Sequence, residues 1–228
     1  LPDNFLLSAR LGAFQSYRVP ILAFASVAVG AYLLGSIPTG FLLAKARGLD
    51  IRAVGSGNIG ATNVFRALGR TAGSLVLLAD AAKGFAACTL LPLVVSSASP
   101  ARGALTILAG VCAVLGHNYT CWLGFRGGKG IATSAGVLAA WMPVALGLAA
   151  AVWLVTFVVS RFVSLASIAA ATALPFGVWL TSGNLTLILI SVGLSVMAIF
   201  KHRSNIQRLL SGTEHRVNFR RAGSPGPR

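Results

Sequence analysis

The chain has 228 residues, 56% of them hydrophobic and only 10% charged. A soluble domain carries about a quarter charged residues, so a soluble fold is excluded and there is no room for a separate soluble domain. Nineteen Lys and Arg stand against four acids, a net charge of +15; in a chain this apolar the excess reports membrane orientation and anionic partners, not nucleic acid.

Residues 1–18 are mixed, with Asp3, Arg10 and Arg18, and are expected to form an amphipathic or disordered lead-in without the pattern of a cleavable signal peptide. Apolar runs follow at about 19–44, 71–98, 103–116, 131–160, 164–181 and 185–200. A membrane span needs roughly 20 residues. The thirty-residue run 131–160 is too long for one span, and Trp141-Met142-Pro143 inside it predicts a break. Splitting there gives an all-α polytopic membrane protein of about seven transmembrane helices.

Charge placement supports that count. With seven spans, fifteen of the nineteen basic residues share one face, in loops 45–70 and 117–130, at Arg161 and after residue 200. Only Arg10, Arg18 and Arg102 fall on the other face, and Lys83 lies within a span. The positive-inside rule then puts the N-terminus outside and the C-terminus in the cytoplasm. The division expected is a lead-in over 1–18, an integral domain over 19–215 and a basic, disordered cytoplasmic tail over 216–228. The outer connections are too short to build a site, so function is expected at the cytoplasmic membrane interface. Cys88, Cys112 and Cys121 have no metal or redox spacing and read as small core residues.

Three polar stretches carry chemistry. The first is GSGNIGATN over Gly55–Asn63, preceded by GSIPTG at 35–40. Its GxGxxG spacing lacks the strand and ribose-binding acid of a dinucleotide fold. What remains is a set of backbone N–H groups with Ser56, Asn58, Thr62 and Asn63, suited to phosphate or glycerol oxygens, and Arg52 nearby as a forked cation. A capped turn between helices is the simpler reading. The second stretch, GHNYTCWLGFRGGKGIAT over Gly116–Thr133, places Lys129 among Gly127, Gly128 and Gly130. Glycines of this kind let backbone N–H groups converge as an anion-binding nest, with the lysine adding a full charge. It is not a nucleotide-binding P-loop, because Leu123 and Gly130 occupy positions where that motif needs Gly and Ser or Thr. A flexible basic loop is the alternative. The third stretch is KHRSNIQRLLSGTE over Lys201–Glu214. If the preceding helix continues, His202 and Asn205 lie on one face at i, i+3. A basic helix end is usually an orientation signal, but an imidazole beside an amide also suits phosphate binding or proton transfer. Asp80 and Lys83, also i, i+3, lie inside the second run. They read equally as a pair that holds the fold or one that shapes a site.

Taken together and in order, these three stretches resemble the signature segments of the bacterial acyl-phosphate:glycerol-3-phosphate acyltransferases, the PlsY family. GSIPTG and FVSLASI at 162–168 look similar too, and the resemblance covers about residues 30–215. It implies transfer of a fatty acyl group from acyl phosphate to the 1-hydroxyl of glycerol 3-phosphate, giving lysophosphatidate and phosphate, the first committed step of phospholipid synthesis. It also implies an enzyme of the bacterial inner membrane with its site facing the cytoplasm, in contact with membrane lipids and needing no cofactor or metal. The resemblance makes Lys129, His202, Asn205 and Ser36 candidate catalytic residues. Arg52, Ser56, Asn58, Thr62, Asn63, Gly128 and Gly130 become candidates for substrate binding. Ser164 and Ser167 stay open. The HxxxxD dyad of the unrelated acyl-CoA-dependent enzymes is absent: Trp122, Gln207 and Arg220 stand five residues after the three histidines. The competing readings are a membrane carrier for a phosphorylated solute and a scaffold that binds acidic lipids through its tail. Carriers gather polar groups near the bilayer midplane, where this chain has only Asp80 and Lys83.

Overall fold

The structure, a computed structural model, describes residues 21–95 and 101–217. The lead-in 1–18 and all of the tail but Arg216 and Val217 lie outside these residues. The fold is all-helical and forms two compact units, Leu1–Trp141 and Met142–Arg228.

In the first unit, α1 (Ile21–Ser36) and α2 (Thr39–Lys45) together make a 25-residue span. The sequence read 19–44 as one run; the structure breaks it at Ile37-Pro38, because proline has no N–H and its ring clashes with the preceding turn. A 3-10 turn (Ile51–Ala53) leads into the long α3 (Ala61–Val95), then α4 (Arg102–Asn118), a second 3-10 turn (Cys121–Leu123) and α5 (Ile131–Trp141). Helix begins ten residues earlier in α3 than the run at 71–98 suggests. Its first two turns mix Thr62, Asn63 and Arg66 with the apolar Val64 and Phe65, and are set off by Gly69, whose φ of +85° kinks the helix.

Lipid offers no hydrophobic drive for helices to associate, so close van der Waals contact must do it. Helices α1 and α4 meet through glycine: a Cβ at Gly35 would overlap the Ala113 carbonyl, and one at Gly116 the Tyr32 carbonyl. Helices α3 and α5 meet the same way, Gly84 against Thr133 and Gly136 against Ala81. Around the first pair Val27, Ala31, Ala87, Leu105, Ala109 and Ala113 form a dry core.

The second unit holds α6 (Pro143–Ser160), α7 (Val163–Ser182), α8 (Leu185–Lys201) and α9 (Arg203–Leu210). Pro143 stands in the first turn of α6, where its missing N–H costs nothing, so the expected break in 131–160 falls at Met142. Arg161 and Gly183 close α6 and α7 in the left-handed conformation, and Asn184 caps α8 by accepting from Leu187 N–H.

Five helical segments are long and apolar enough to cross a membrane, and α8 with α9 makes a sixth candidate. α5 differs. With 11 residues it is about 16 Å long, short of a ~30 Å core, and it ends with Trp141 against Gly110, midway along α4. The seven expected apolar helices are present among the described residues, but this one does not span by its own length.

Candidate functional site

In the first unit the two glycine-rich loops come to the same end. Leu123, from the second loop, packs on the cluster of Ala44, Ile51, Ile59 and Val64 that underlies the first. The start of this arrangement is the Pro38 break. It leaves helix-end groups unpaired inside an apolar bundle, where each costs several kcal/mol. Lys83 of α3 donates to the Ile37 carbonyl at 2.8 Å, and Thr39 donates to Asp80 at 2.6 Å. Asp80 and Lys83 pair at 2.9 Å, and His117 Nδ1 lies 3.6 Å from Asp80 Oδ1. Asp80, Lys83 and His117 are all buried. The ion pair that the sequence left between two roles thus mends a broken helix and supports the last turn of α4.

Ser36 is fully buried, with its hydroxyl donating to the Gly116 carbonyl at 3.3 Å and its own carbonyl accepting from Thr120 at 2.6 Å. It joins the ends of α1 and α4.

The loop of Gly55–Asn63 is organised by its own asparagines. Asn63 accepts from Ser56 N–H at 3.0 Å and donates to the carbonyls of Ile51 and Val54. Asn58 accepts from Gly60 N–H at 2.9 Å. Gly55 and Gly57 take φ of +60° and +67°, which a side chain would strain. Asn63 is therefore a buried brace of this loop. Ser56 is exposed on it, and Thr62 is half-buried in the first turn of α3.

Arg52 is half-exposed beside the loop. It makes a forked pair with Asp50, Nη2 to Oδ2 at 2.7 Å, and lies over the Phe41 ring. The side-chain hydrogen bond from Arg52 holds the Asp50 carboxyl down at about 2.

The second loop departs from the nest expected of it. Gly128 N–H donates to the His117 carbonyl at 3.0 Å and Gly127 N–H to the Asn118 carbonyl at 3.2 Å. These donors bind protein oxygens, so they are not turned toward an anion. The glycines are required for another reason, close approach. A Cβ on Gly127 would overlap the His117 carbonyl, one on Gly128 the His117 ring, and one on Gly130 would stand 2.7 Å from Asn118 Oδ1. Gly130, at φ +81°, then leads into α5 and accepts from Ser134 N–H. Lys129 is half-buried between the two packed glycines, directly before the first turn of α5. Its charge therefore stands beside that helix N-terminus.

In the second unit, the helix does not run on through His202 as the i, i+3 reading assumed. It bends by 57° there, and His202 is the hinge between α8 and α9. Both His202 and Asn205 are buried all the same. His202 Nδ1 lies 2.8 Å from the Ala198 carbonyl. A carbonyl only accepts, so Nδ1 carries the hydrogen, and when the ring is neutral its acceptor is Nε2. Asn205 Nδ2 donates to Glu214 Oε1, which also accepts from Ser164, both at 2.8 Å; Arg208 donates to Oε2 at 2.7 Å. Burial pushes the Glu214 carboxyl up, but the bonds from Asn205, Arg208 and Ser164 outweigh it and hold it below the usual range. Ser167 bonds to the Val163 carbonyl and accepts from Trp153 Nε1 at 3.2 Å. Glu214 was not singled out in the sequence. Its signal was scarcity, as one of four acids in the chain, placed at the end of a polar stretch.

The family profile described as "Glycerol-3-phosphate acyltransferase" matches residues 25–212. The chain belongs to the glycerol-3-phosphate acyltransferase family. Among its relatives are the glycerol-3-phosphate acyltransferases of Geotalea daltonii, 49% identical over 82% of this chain and 94% of that one, and of Rhizobium meliloti, 46% identical over 83% and 90%. A crystal structure of PlsY, an integral membrane glycerol 3-phosphate acyltransferase in its glycerol 3-phosphate form, is 40% identical and superposes with a TM-score of 0.79. It covers 86% of this chain and 96% of that one. The lysophosphatidic acid form of PlsY superposes at 0.76. As a family member with several apolar spans, the chain is an integral membrane protein.

Proposed function

We propose that this protein transfers a fatty acyl group from acyl phosphate to the 1-hydroxyl of glycerol 3-phosphate, releasing lysophosphatidate and inorganic phosphate. The observation that carries this reading is the pairing of two glycine-rich loops at one end of the first unit, with Arg52 on one and Lys129 on the other. Family membership and the PlsY neighbours with glycerol 3-phosphate and lysophosphatidic acid support the acceptor and the product. Acyl phosphate as donor rests on the resemblance and on the missing HxxxxD dyad.

In the proposed step, the acceptor hydroxyl oxygen bonds to the acyl carbonyl carbon and the carbon–oxygen bond to phosphate breaks. The hydroxyl proton passes to a phosphate oxygen of the substrates. A mixed anhydride has a good leaving group, so the protein mainly holds two anions together and neutralises developing charge. Lys129 supplies that charge from the second loop. Arg52 offers a planar fork for a phosphate: its pair with Asp50 is solvent-exposed, and such pairs exchange partners at little cost. Ser56 and Thr62 offer hydroxyls, while Asn58, Asn63, Gly128 and Gly130 shape the loops, and Ser36 fixes the helix ends beneath them. His202 and Asn205 enter as candidates through the resemblance, with His202 Nε2 able to accept a hydrogen bond and Asn205 oriented by Glu214.

We place the enzyme in a bacterial inner membrane with these loops facing the cytoplasm, residues 19–215 as the acyltransferase region and 216–228 as a basic tail. The test is purified protein supplied with hexadecanoyl phosphate and glycerol 3-phosphate. Lysophosphatidate should form, and acyl-CoA alone should give none. Robust turnover with acyl-CoA rejects the donor, and solute uptake by vesicles without acyl product favours a carrier.

A further inference from the structure

The second loop shows why residue 128 is glycine, and the reason is one side chain. His117 closes α4 with its ring buried. Its Nδ1 edge faces Asp80, which is itself held by Lys83 and Thr39. Its Nε2 edge faces Gly128 so closely that a Cβ there would overlap it. The backbone of Gly128 is tied to the same residue, through N–H to the His117 carbonyl at 3.0 Å. Gly128 has no left-handed φ, and the three nearest atoms that a Cβ there would meet all belong to the His117 imidazole.

We propose that His117 is a positioning residue: its imidazole, buried 3.6 Å from the Asp80 carboxylate, is the surface against which Gly128 is seated, and it thereby sets where Lys129 stands. The proposal rests on the reading of Lys129 as the phosphate-binding charge of the acyl transfer. A side chain that sets the height of a loop acts on the reaction through distance, and a displacement of about 1 Å costs on the order of 10²-fold in efficiency.

The two edges of the ring can be separated. Asparagine carries its amide nitrogen close to where histidine carries Nδ1, so His117→Asn keeps a donor toward Asp80 and removes the Nε2 edge. Gly128→Ala puts a methyl into that edge. In Gly128→Ala/His117→Asn the methyl occupies the space the ring has left. Two readouts are needed: KM and kcat for glycerol 3-phosphate with saturating hexadecanoyl phosphate, and amide hydrogen exchange at Gly127–Gly130, which requires no turnover.

Gly128→Ala is expected to raise KM about tenfold or more and to speed exchange in the loop, while His117→Asn does the same more weakly. The double variant should recover well beyond the product of the two losses, because the clash that defines Gly128→Ala is gone. A purely structural His117 would lower the amount of folded protein without this reciprocal rescue in KM. Losses that multiply, or unchanged exchange in His117→Asn, overturn the seat. Faster exchange with an unchanged KM overturns the proposal through its other half, since Lys129 then does not act on the phosphate. If Gly128→Ala fails to fold and the double variant folds, the seat is upheld by that difference; if both fail to fold, it is rejected.

Discussion

Asn205 and Glu214 form a buried pair in which the amide Nδ2 donates to the carboxylate Oε1 at 2.8 Å. The carboxylate therefore fixes which way Asn205 points, and it also gathers Ser164 and Arg208. Glu214→Ala strands the buried donors of Asn205 and Ser164, each at a cost of about 1–3 kcal/mol, and frees the partly exposed Arg208. We expect a large loss of thermal stability in detergent and little recoverable protein. Glu214→Gln keeps one oxygen for Asn205 and Ser164 but turns an NH2 toward Arg208, so it should be milder in stability. Equal melting temperatures for wild type and Glu214→Ala would exclude this hub.

The same carboxylate makes stability depend on acid. Its folded value lies below its ordinary one, because the bonds from Asn205, Arg208 and Ser164 outweigh burial. A depressed carboxylate stabilises the fold above its unfolded value, about 4.3, and that contribution is lost as pH falls through the folded value. The melting temperature of wild type minus that of Glu214→Gln should be constant between pH 5 and 7 and shrink below about pH 4.3. A difference unchanged down to pH 3 contradicts the assignment.

Lys83 and Asp80 test whether the intramembrane pair holds the fold. Lys83→Met leaves the Asp80 carboxylate and the Ile37 carbonyl without the ammonium that binds both. Breaking a buried pair on one side costs about 3–5 kcal/mol, whereas replacing both partners is milder. Lys83→Met should be less stable than Asp80→Asn/Lys83→Met by thermal melting. If Lys83→Met melts like wild type but loses turnover, the pair belongs to the chemistry instead.

How far these features could be read in the sequence depended on distance along the chain. The break at Pro143 was legible because proline states its own rule. Pro38 states the same rule, yet it lay in a run apolar enough to pass for one span. The helix from Ala61 was hidden because Thr62, Asn63, Arg66 and Arg70 interrupt its apolar residues, and the kink at Gly69 by the absence of a nearby proline. Lys129 and its glycines were visible as a loop, but the reason for the glycines was not. It is the His117 ring and the two carbonyls beside it, brought in by the turn at 119–126. Glu214 was missed because its importance lies in partners at positions 164, 205 and 208, which only folding assembles.

Orientation is a separate prediction. The basic loops and tail favour a cytoplasmic C-terminus. In a background lacking Cys88, Cys112 and Cys121, cysteines at positions 58 and 211 should label from the cytoplasmic side only. Labelling of the two from opposite sides rejects the arrangement.

Lys129 is the residue on which the proposed chemistry leans most. It is half-buried, it precedes the first turn of α5, and it is held between two glycines packed on His117 and Asn118. Lys129→Ala should leave the fold intact, because Gly127, Gly128 and Gly130 keep the close approaches that seat the loop. Removing one electrostatic stabiliser costs on the order of 10²–10³ in rate. Lys129→Arg should recover only part of this, since it keeps the charge but puts a wide planar fork where a compact ammonium stood. If Lys129 serves only as an orientation signal, arginine would replace it fully, and alanine would lower membrane yield more than turnover per folded molecule. The measurement is turnover normalised to inserted, monodisperse protein for wild type and both variants. Near-normal turnover in both would remove Lys129 from the site and leave Arg52 and His202 as the remaining candidates.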